Sequence, residues 1–224
     1  MIVKVTTKLP GSSRARILEA ACDLIAAEGV DDLRIARVAM RARASTALVH
    51  RYFSTREELL EQAILHSFDV VAPERFLGTD GPGPSATAEL AQAIDVCLPV
   101  PGTVERDFVL WVELWLRAAR DPHLQPLAAR LYERYHTWLR DIVAAGVEAG
   151  EFTAPADIDA FTDTLIGLLD GLGLRALLRD PAMDLSRARS RVAEFVSAPL
   201  GIDSAALLAT SDPAPAPPGQ ATVE

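Results

Sequence analysis

Cysteine is scarce: Cys22 and Cys97 are the two in 224 residues, too few for a disulfide framework. Neither has a His or Cys neighbour at metal-ligand spacing, so no metal and no cofactor is expected. Cys22 falls on an apolar helical stripe, where a buried thiol is expected. Aromatic residues are also few, 6% of the chain. The hydrophobic half is mainly Ala, Leu and Val, a mixture that favours helices. No stretch reaches the length of a membrane span, and the N-terminus, MIVKVTTKLPGSSR, holds no long apolar run. A cytoplasmic protein with no membrane partner is expected. Internal repeats, strand alternation and phosphate-binding loops are absent as well. His50, His66, His123 and His136 match no nucleophile or carboxylate motif. The acid pairs Asp157/Asp159 and Glu57/Glu58 sit at helix starts, where they favour the helix dipole. The sequence therefore gives no sign of an enzyme.

One absence is local. Residues 34–56, RIARVAMRARASTALVHRYFSTR, contain no Asp or Glu and six arginines, a +6 island in a chain of formal net charge −9. A pI near 5.0 argues against a protein that coats nucleic acid generally, so contact with a polyanion must be confined to this island. Val38, Ala39 and Ala42 share one helical face, and Ala44, Val49 and Phe53 another. Ser45 stands where an N-cap belongs, its hydroxyl able to take a free N–H of the next turn. Two short helices joined by a tight turn form a helix-turn-helix. The second helix of such a pair enters the major groove, its first residues at base edges, while flanking side chains hold phosphates. Thr46, Ala47 and Leu48 are then placed toward the bases.

The helix before the island carries Ile17, Ala20, Ala21, Leu24 and Ile25 at i, i+3, i+4, i+7, i+8 and stops at Gly29. Its stripe is what the two short helices need for burial. After the island, Thr55-Arg56-Glu57-Glu58 reads as a capping box, and Leu60, Ala63, Ile64, Ser67, Phe68 and Val71 continue a connecting helix. A Gly and Pro cluster over residues 72–85 reads as a loop. Helical patterns then cover 86–98, 104–120, 123–149, 156–179 and 184–198, separated by Pro, Gly and Asp-Pro junctions. From residue 201 a tail is expected, disordered from about 211. Residues 1–12, with Lys4, Lys8 and Pro10, form a short arm with too little sequence to fold alone, and a frayed terminus is expected.

This N-terminal pattern resembles the TetR family of bacterial transcriptional regulators over residues 13–64. The resemblance rests on Glu28-Gly29, Val38-Ala39, Arg43-Ala44-Ser45, Val49-His50-Arg51-Tyr52-Phe53 and Thr55-Arg56-Glu57-Glu58-Leu59-Leu60. Arg43 stands where the family has a turn glycine, and His50 where it has a tyrosine; Arg56 keeps the charge of the family's phosphate-contacting lysine. The resemblance implies an all-α protein. It comprises a three-helix helix-turn-helix domain over 13–56, a connecting helix over 57–72, and a helical ligand-binding and dimerisation domain over 86–200. It implies DNA contacts from Arg34, Arg37, Ser45, Thr46, Ala47, Leu48, His50, Arg51, Tyr52 and Arg56. The partners implied are a near-palindromic duplex operator, a second copy of the chain and a small-molecule effector. The function implied is repression relieved by that effector. A helical interaction module with lost or altered DNA binding is the competing class, motivated by Arg43 and His50.

The second half is similar to the ligand domain of the family's choline-sensing betaine regulators, through LWVELWLRAARDPHL, Tyr132, Tyr135, Trp138, Gly150 to Phe152 and LLDGLGLRALL. Phe108, Trp111, Val112 and Trp115 form one helical stripe, and Tyr135, Trp138 and Ile142 the next. Such stripes are either plain core or the wall of a site. The site reading takes Trp111, Trp115, Tyr135 and Trp138 with Glu113 or Asp170, for an organic cation or a flat amphipathic compound. Glu113 and Asp170 lie in apolar runs, either as ligand contacts or as ion pairs with Arg117 and Arg175. Gly167, Gly171 and Gly173 interrupt one helix, as a close approach between protomers or as backbone room for a ligand.

Overall fold

The computed structural model describes residues 12–71 and 85–209, the side chains of 68–71 excepted. It is all-helical over these residues, with ten α-helices and one 3₁₀ turn. The N-terminal arm, the 72–84 segment and the chain beyond 209 lie outside the described residues.

Helix α1, Ser13–Glu28, starts on Ser12, whose hydroxyl accepts the Ala15 N–H at 3.2 Å. It ends on Gly29 at φ 82, whose N–H reaches the Ile25 carbonyl at 2.8 Å. The stripe expected from the spacing is buried: Ile17, Ala20, Ala21, Leu24 and Ile25 are all within 5% of complete burial. Cys22 lies among them and donates its thiol proton to the Ala63 carbonyl at 3.2 Å. Burial pushes that thiol far above its usual range, which leaves it an inert packing group. A 3₁₀ turn, Val30–Asp32, leads into α2, Ile35–Arg41, and then α3, Thr46–Tyr52.

Seven-residue helices are marginal alone in water. Here α2 and α3 persist because Val38, Ala39, Val49 and Phe53 are sealed against α1. Each fully buried Val or Phe among them contributes roughly 1.5–3 kcal/mol. Helix α4, Arg56–Val71, lies along α1. Its start is a capping box: Thr55 Oγ1 accepts the Glu58 N–H at 3.0 Å, and the Glu58 carboxylate accepts the Ser54 N–H at 2.7 Å.

The remaining helices are α5 (Ala86–Val96), α6 (Thr103–Ala118), α7 (Gln125–Glu148), α8 (Ile158–Leu177), α9 (Leu185–Leu200) and α10 (Ser204–Ala209). Helices α5, α7 and α8 fall within the ranges expected from periodicity, and α6 begins one residue before its expected start at 104. Helix α9 runs through Pro199 and closes on Gly201 at φ 67, past the expected end at 198. Helix α10 corrects the expectation of a tail from residue 201. It packs on α9 and α5 and buries Leu207, and six residues are too few to show a helical period.

Helices α1 and α4 also pack on α6, so the first four helices share a face with the second half. Of the three α8 glycines, Gly173 is closed from within: an added Cβ would meet the Phe108 ring at 2.7 Å. Gly167 and Gly171 face outward with open space around them.

Candidate functional site: an arginine-bearing turn and an aromatic cavity

The turn between α2 and α3 is built as its residue types require. Arg43 takes φ 51, a left-handed conformation that a side chain adopts only with some strain. Ser45 caps α3, its Oγ accepting the Leu48 N–H at 3.1 Å; that hydroxyl is thus already engaged. Thr46, Ala47, His50, Arg51 and Tyr52 are exposed on α3, whereas Leu48 is half-buried against the core. Leu48 is therefore a weaker base-facing group than the sequence suggests, because it neighbours the fully buried Val49.

The six arginines divide into two sets. Arg37 is tied to Glu28 (2.7 Å) and Asp32 (3.5 Å), and Arg41 to Asp23 (3.4 Å). Arg56 turns inward: its Nε donates to the Leu33 carbonyl at 2.8 Å and its Nη2 to the Val30 carbonyl at 2.6 Å. The Val30 carbonyl, which also accepts the Leu33 N–H at 3.0 Å, and the Leu33 carbonyl stand at the two ends of the 3₁₀ turn, which makes Arg56 a clasp across the head. Arg34, Arg43 and Arg51 are exposed and have no ion pair among the described residues. The loose charge is thus near +3, and Arg43, which also stands where the family has a turn glycine, belongs to it. Met40 beside the turn is 75% exposed.

The second feature is a cavity of about 530 Å³, its open mouth included, lined by residues of α5 to α8. Trp111, Trp115, Tyr135, Trp138 and Asp170, expected together, all line it. Trp111 sits 6.1 Å from the rings of both Tyr132 and Tyr135, and Trp115 stacks on Tyr132 at 6.3 Å. Tyr135 stacks on Trp138 at 6.3 Å. The Tyr132 hydroxyl donates to Asp170 at 2.8 Å. Burial raises the Asp170 carboxyl to about 6, with the Tyr132 bond pulling the other way. Burial likewise raises the Tyr135 hydroxyl and lifts the Cys97 thiol to about 12, so both are protonated at neutral pH.

Glu113 is not part of this cavity. It lies two residues beyond Trp111, about 200° around α6, and lines a separate groove with Glu28, Asp31, Leu116 and Arg117. The expected ion-pair partners are also otherwise engaged: Arg117 binds Asp31 at 2.6 Å and Arg175 binds Asp180 at 2.7 Å. Asp107 takes the place expected of Glu113. It is 3% exposed and lines the cavity. Its position, one turn before Trp111 on the same face, was the signal available in the sequence.

A turn that carries the loose cations, joined through α1 to a helix that walls an aromatic cavity, is the architecture of a ligand-responsive DNA-binding transcriptional regulator. The sequence profile described as bacterial regulatory proteins, tetR family, matches residues 17–63. The profile for the BetI-type transcriptional repressor, C-terminal, matches 86–201, just over half the chain. The chain belongs to the TetR family, with a C-terminal region of BetI type. It is 26% identical over 190 residues to the HTH-type transcriptional regulator BetI of Burkholderia thailandensis, covering 82% of this chain and 91% of that protein. BetI 1 of Chromohalobacter salexigens is 27% identical over 193 residues, covering 82% and 88%. A TetR-family regulator structure from Rhodococcus sp. aligns with TM-score 0.73 at 26% identity, covering 84% of this chain and 98% of that one. A regulator of Saccharomonospora viridis in complex with choline aligns with TM-score 0.67 at 25% identity, covering 84% and 97%. Regulators of this family bind DNA and small-molecule effectors. No described helix is long and apolar enough to cross a membrane.

Proposed function

We propose that this chain is a homodimeric repressor that holds a near-palindromic operator and lets go when an organic cation enters the aromatic cavity. The observation that carries the effector class is the cavity's lining: four Trp and Tyr rings, two carboxylates, and no Lys or Arg. An aromatic face attracts a desolvated cation by about 0.5–2 kcal/mol. A buried carboxylate adds to that attraction and repels an anionic ligand. The choline held by the Saccharomonospora viridis relative is a cation of this kind. The division of labour follows the helices, with residues 13–56 reading DNA and 86–200 binding the effector and the second protomer. Gly167 and Gly171, outward and open, supply a flat strip for close approach of the partner. Two half-sites on one face of DNA require such two-fold symmetry.

The test has two arms. Selection of duplex fragments by the purified protein is expected to recover a near-palindrome, with Thr46→Ala changing which sequences are recovered. Cationic, neutral and anionic compounds are then screened for quenching of the tryptophans and release of the selected duplex. Choline-like cations acting at micromolar to millimolar levels are the expected result. A carboxylate-bearing compound that alone releases DNA, undisturbed by Asp170→Asn, would sink the cation reading.

A further inference from the structure

Where the cavity meets the DNA-binding head, one guanidinium gathers three carboxylates. Arg106 stands near the start of α6. Its Nη1 donates to Glu19 at 2.7 Å and Asp23 at 2.9 Å, both on α1. Its Nε and Nη2 donate to Asp107 Oδ1 at 2.8 and 2.7 Å. Asp107 is the cavity-wall carboxylate. On the other side, Glu19 meets His66 of α4 at 3.1 Å, and Asp23 meets Arg41 in the last turn of α2 at 3.4 Å. Hydrogen bonds from His66 and Arg106 hold the Glu19 carboxyl down at about 2, so Glu19 stays charged throughout the neutral range. From the cavity wall to the helix that precedes the DNA-reading turn, every step is a charged contact.

Other ion pairs cross between the halves, among them Arg117–Asp31 at 2.6 Å and Arg130–Glu61 at 2.9 Å. Asp31 is 94% exposed and Arg130 55%, and neither pair includes a cavity residue. Water and salt screen such pairs. The Arg106 side chain is 16% exposed, where charges are felt more strongly.

We infer that the Asp107–Arg106 pair is the coupling element through which the cavity's occupancy reaches α1 and α2, and that it responds to ligand charge rather than ligand shape. This rests on the cavity being the effector site. A cation beside Asp107 draws on the same carboxylate that holds Arg106. Arg106 is then left more firmly with Glu19 and Asp23, and the packing of α6 against α1 shifts. A neutral ligand of equal shape makes no such differential contact, and without one it shifts no equilibrium.

The test is a double-mutant cycle on the full chain, read by amide hydrogen exchange in α1 and α2 without ligand. Asp107→Asn removes the charge at the cavity wall; Glu19→Gln with Asp23→Asn removes it on α1 and leaves the Arg106–Asp107 pair. Asp107→Asn is expected to change exchange over Ile35–Arg41 at least threefold in the otherwise unaltered chain and hardly at all in the α1 variant. Equal changes in both backgrounds overturn the inference. Should Asp107→Asn fold poorly, Arg106→Lys, which keeps the charge but cannot span three carboxylates, is put through the same cycle with the same criterion. A second arm uses choline and its uncharged match, 3,3-dimethyl-1-butanol. Choline is expected to quench the tryptophans in both backgrounds but to alter α2 exchange only where the hub is intact, and the alcohol to alter it in neither. Choline shifting α2 equally in both backgrounds overturns the inference. If choline fails to quench at all, the cation reading of the cavity falls, and the mutant cycle still decides the coupling.

Discussion

The DNA-reading turn and the aromatic cavity handle charge in opposite ways. At the turn, cations lie in water on a backbone held by caps and short contacts. Half of the island's arginines are neutralised by local acids or spent on backbone carbonyls, so a raw count overstates the field offered to DNA. Among the described residues the cavity lining carries two carboxylates, Asp107, held by Arg106, and Asp170, set among rings, where each is felt more strongly. Counting charges therefore misjudges both regions: it inflates the first and undervalues the second.

The sharpest way to test whether the two regions are separable is Phe53→Ala. Phe53 is 1% exposed beneath the turn, and its loss is expected to destabilise the fold by about 3–5 kcal/mol. Because α1 packs on both α4 and α6, the variant is expected to melt in one transition, at a lower temperature, by circular dichroism and by tryptophan fluorescence alike. Two separated transitions would show that the head folds independently of the cavity.

Comparing Arg56 with Arg51 distinguishes arginines that hold the fold from those that hold DNA. Arg56→Ala leaves two carbonyls without their charged donor and is expected to lower stability by about 1.5–3 kcal/mol, seen as a lower midpoint in urea. Arg51→Ala should leave that midpoint unchanged, weaken binding to all duplexes alike and flatten the salt dependence by about one. The reverse pattern would mean that Arg56 swings out on DNA.

The smallest effect expected is in the cavity. Burial raises the Asp170 carboxyl to about 6 from its usual 3.8. A raised carboxyl favours the folded state in its protonated form. That contribution is complete below pH 4 and is lost as pH rises through 6. Cation binding should run the other way, roughly tenfold tighter at pH 7.5 than at pH 5 as Asp170 ionises, and flat in Asp170→Asn. Fluorescence titrations at the two pH values measure it.

The two regions also differ in how far sequence alone reaches. The head was legible because its signals are local: the Ser45 cap, the stripe of α1 and the strained turn at Arg43 all sit within one short stretch. What it could not show was that Arg56 folds back 23 and 26 residues to Leu33 and Val30. For the cavity, the Trp and Tyr stripes marked the correct faces of α6 and α7. The carboxylates were harder, because Asp170 meets Tyr132 across 38 residues. Glu113 stands out in the sequence because it lies in an apolar run, although helical angle puts Asp107 with Trp111 and turns Glu113 away. The ring-on-glycine contact of Phe108 with Gly173 had no local signature at all.

Arg43 carries a consequence of its own. A glycine in its place would rest in the same left-handed turn without strain, yet it would bring no charge to the surface that meets DNA. On the proposed reading of the turn as the DNA-contacting face, the chain gives up some ease of folding at this position for grip on a polyanion. An operator that satisfied Arg43 would then return part of that deficit only while it is bound.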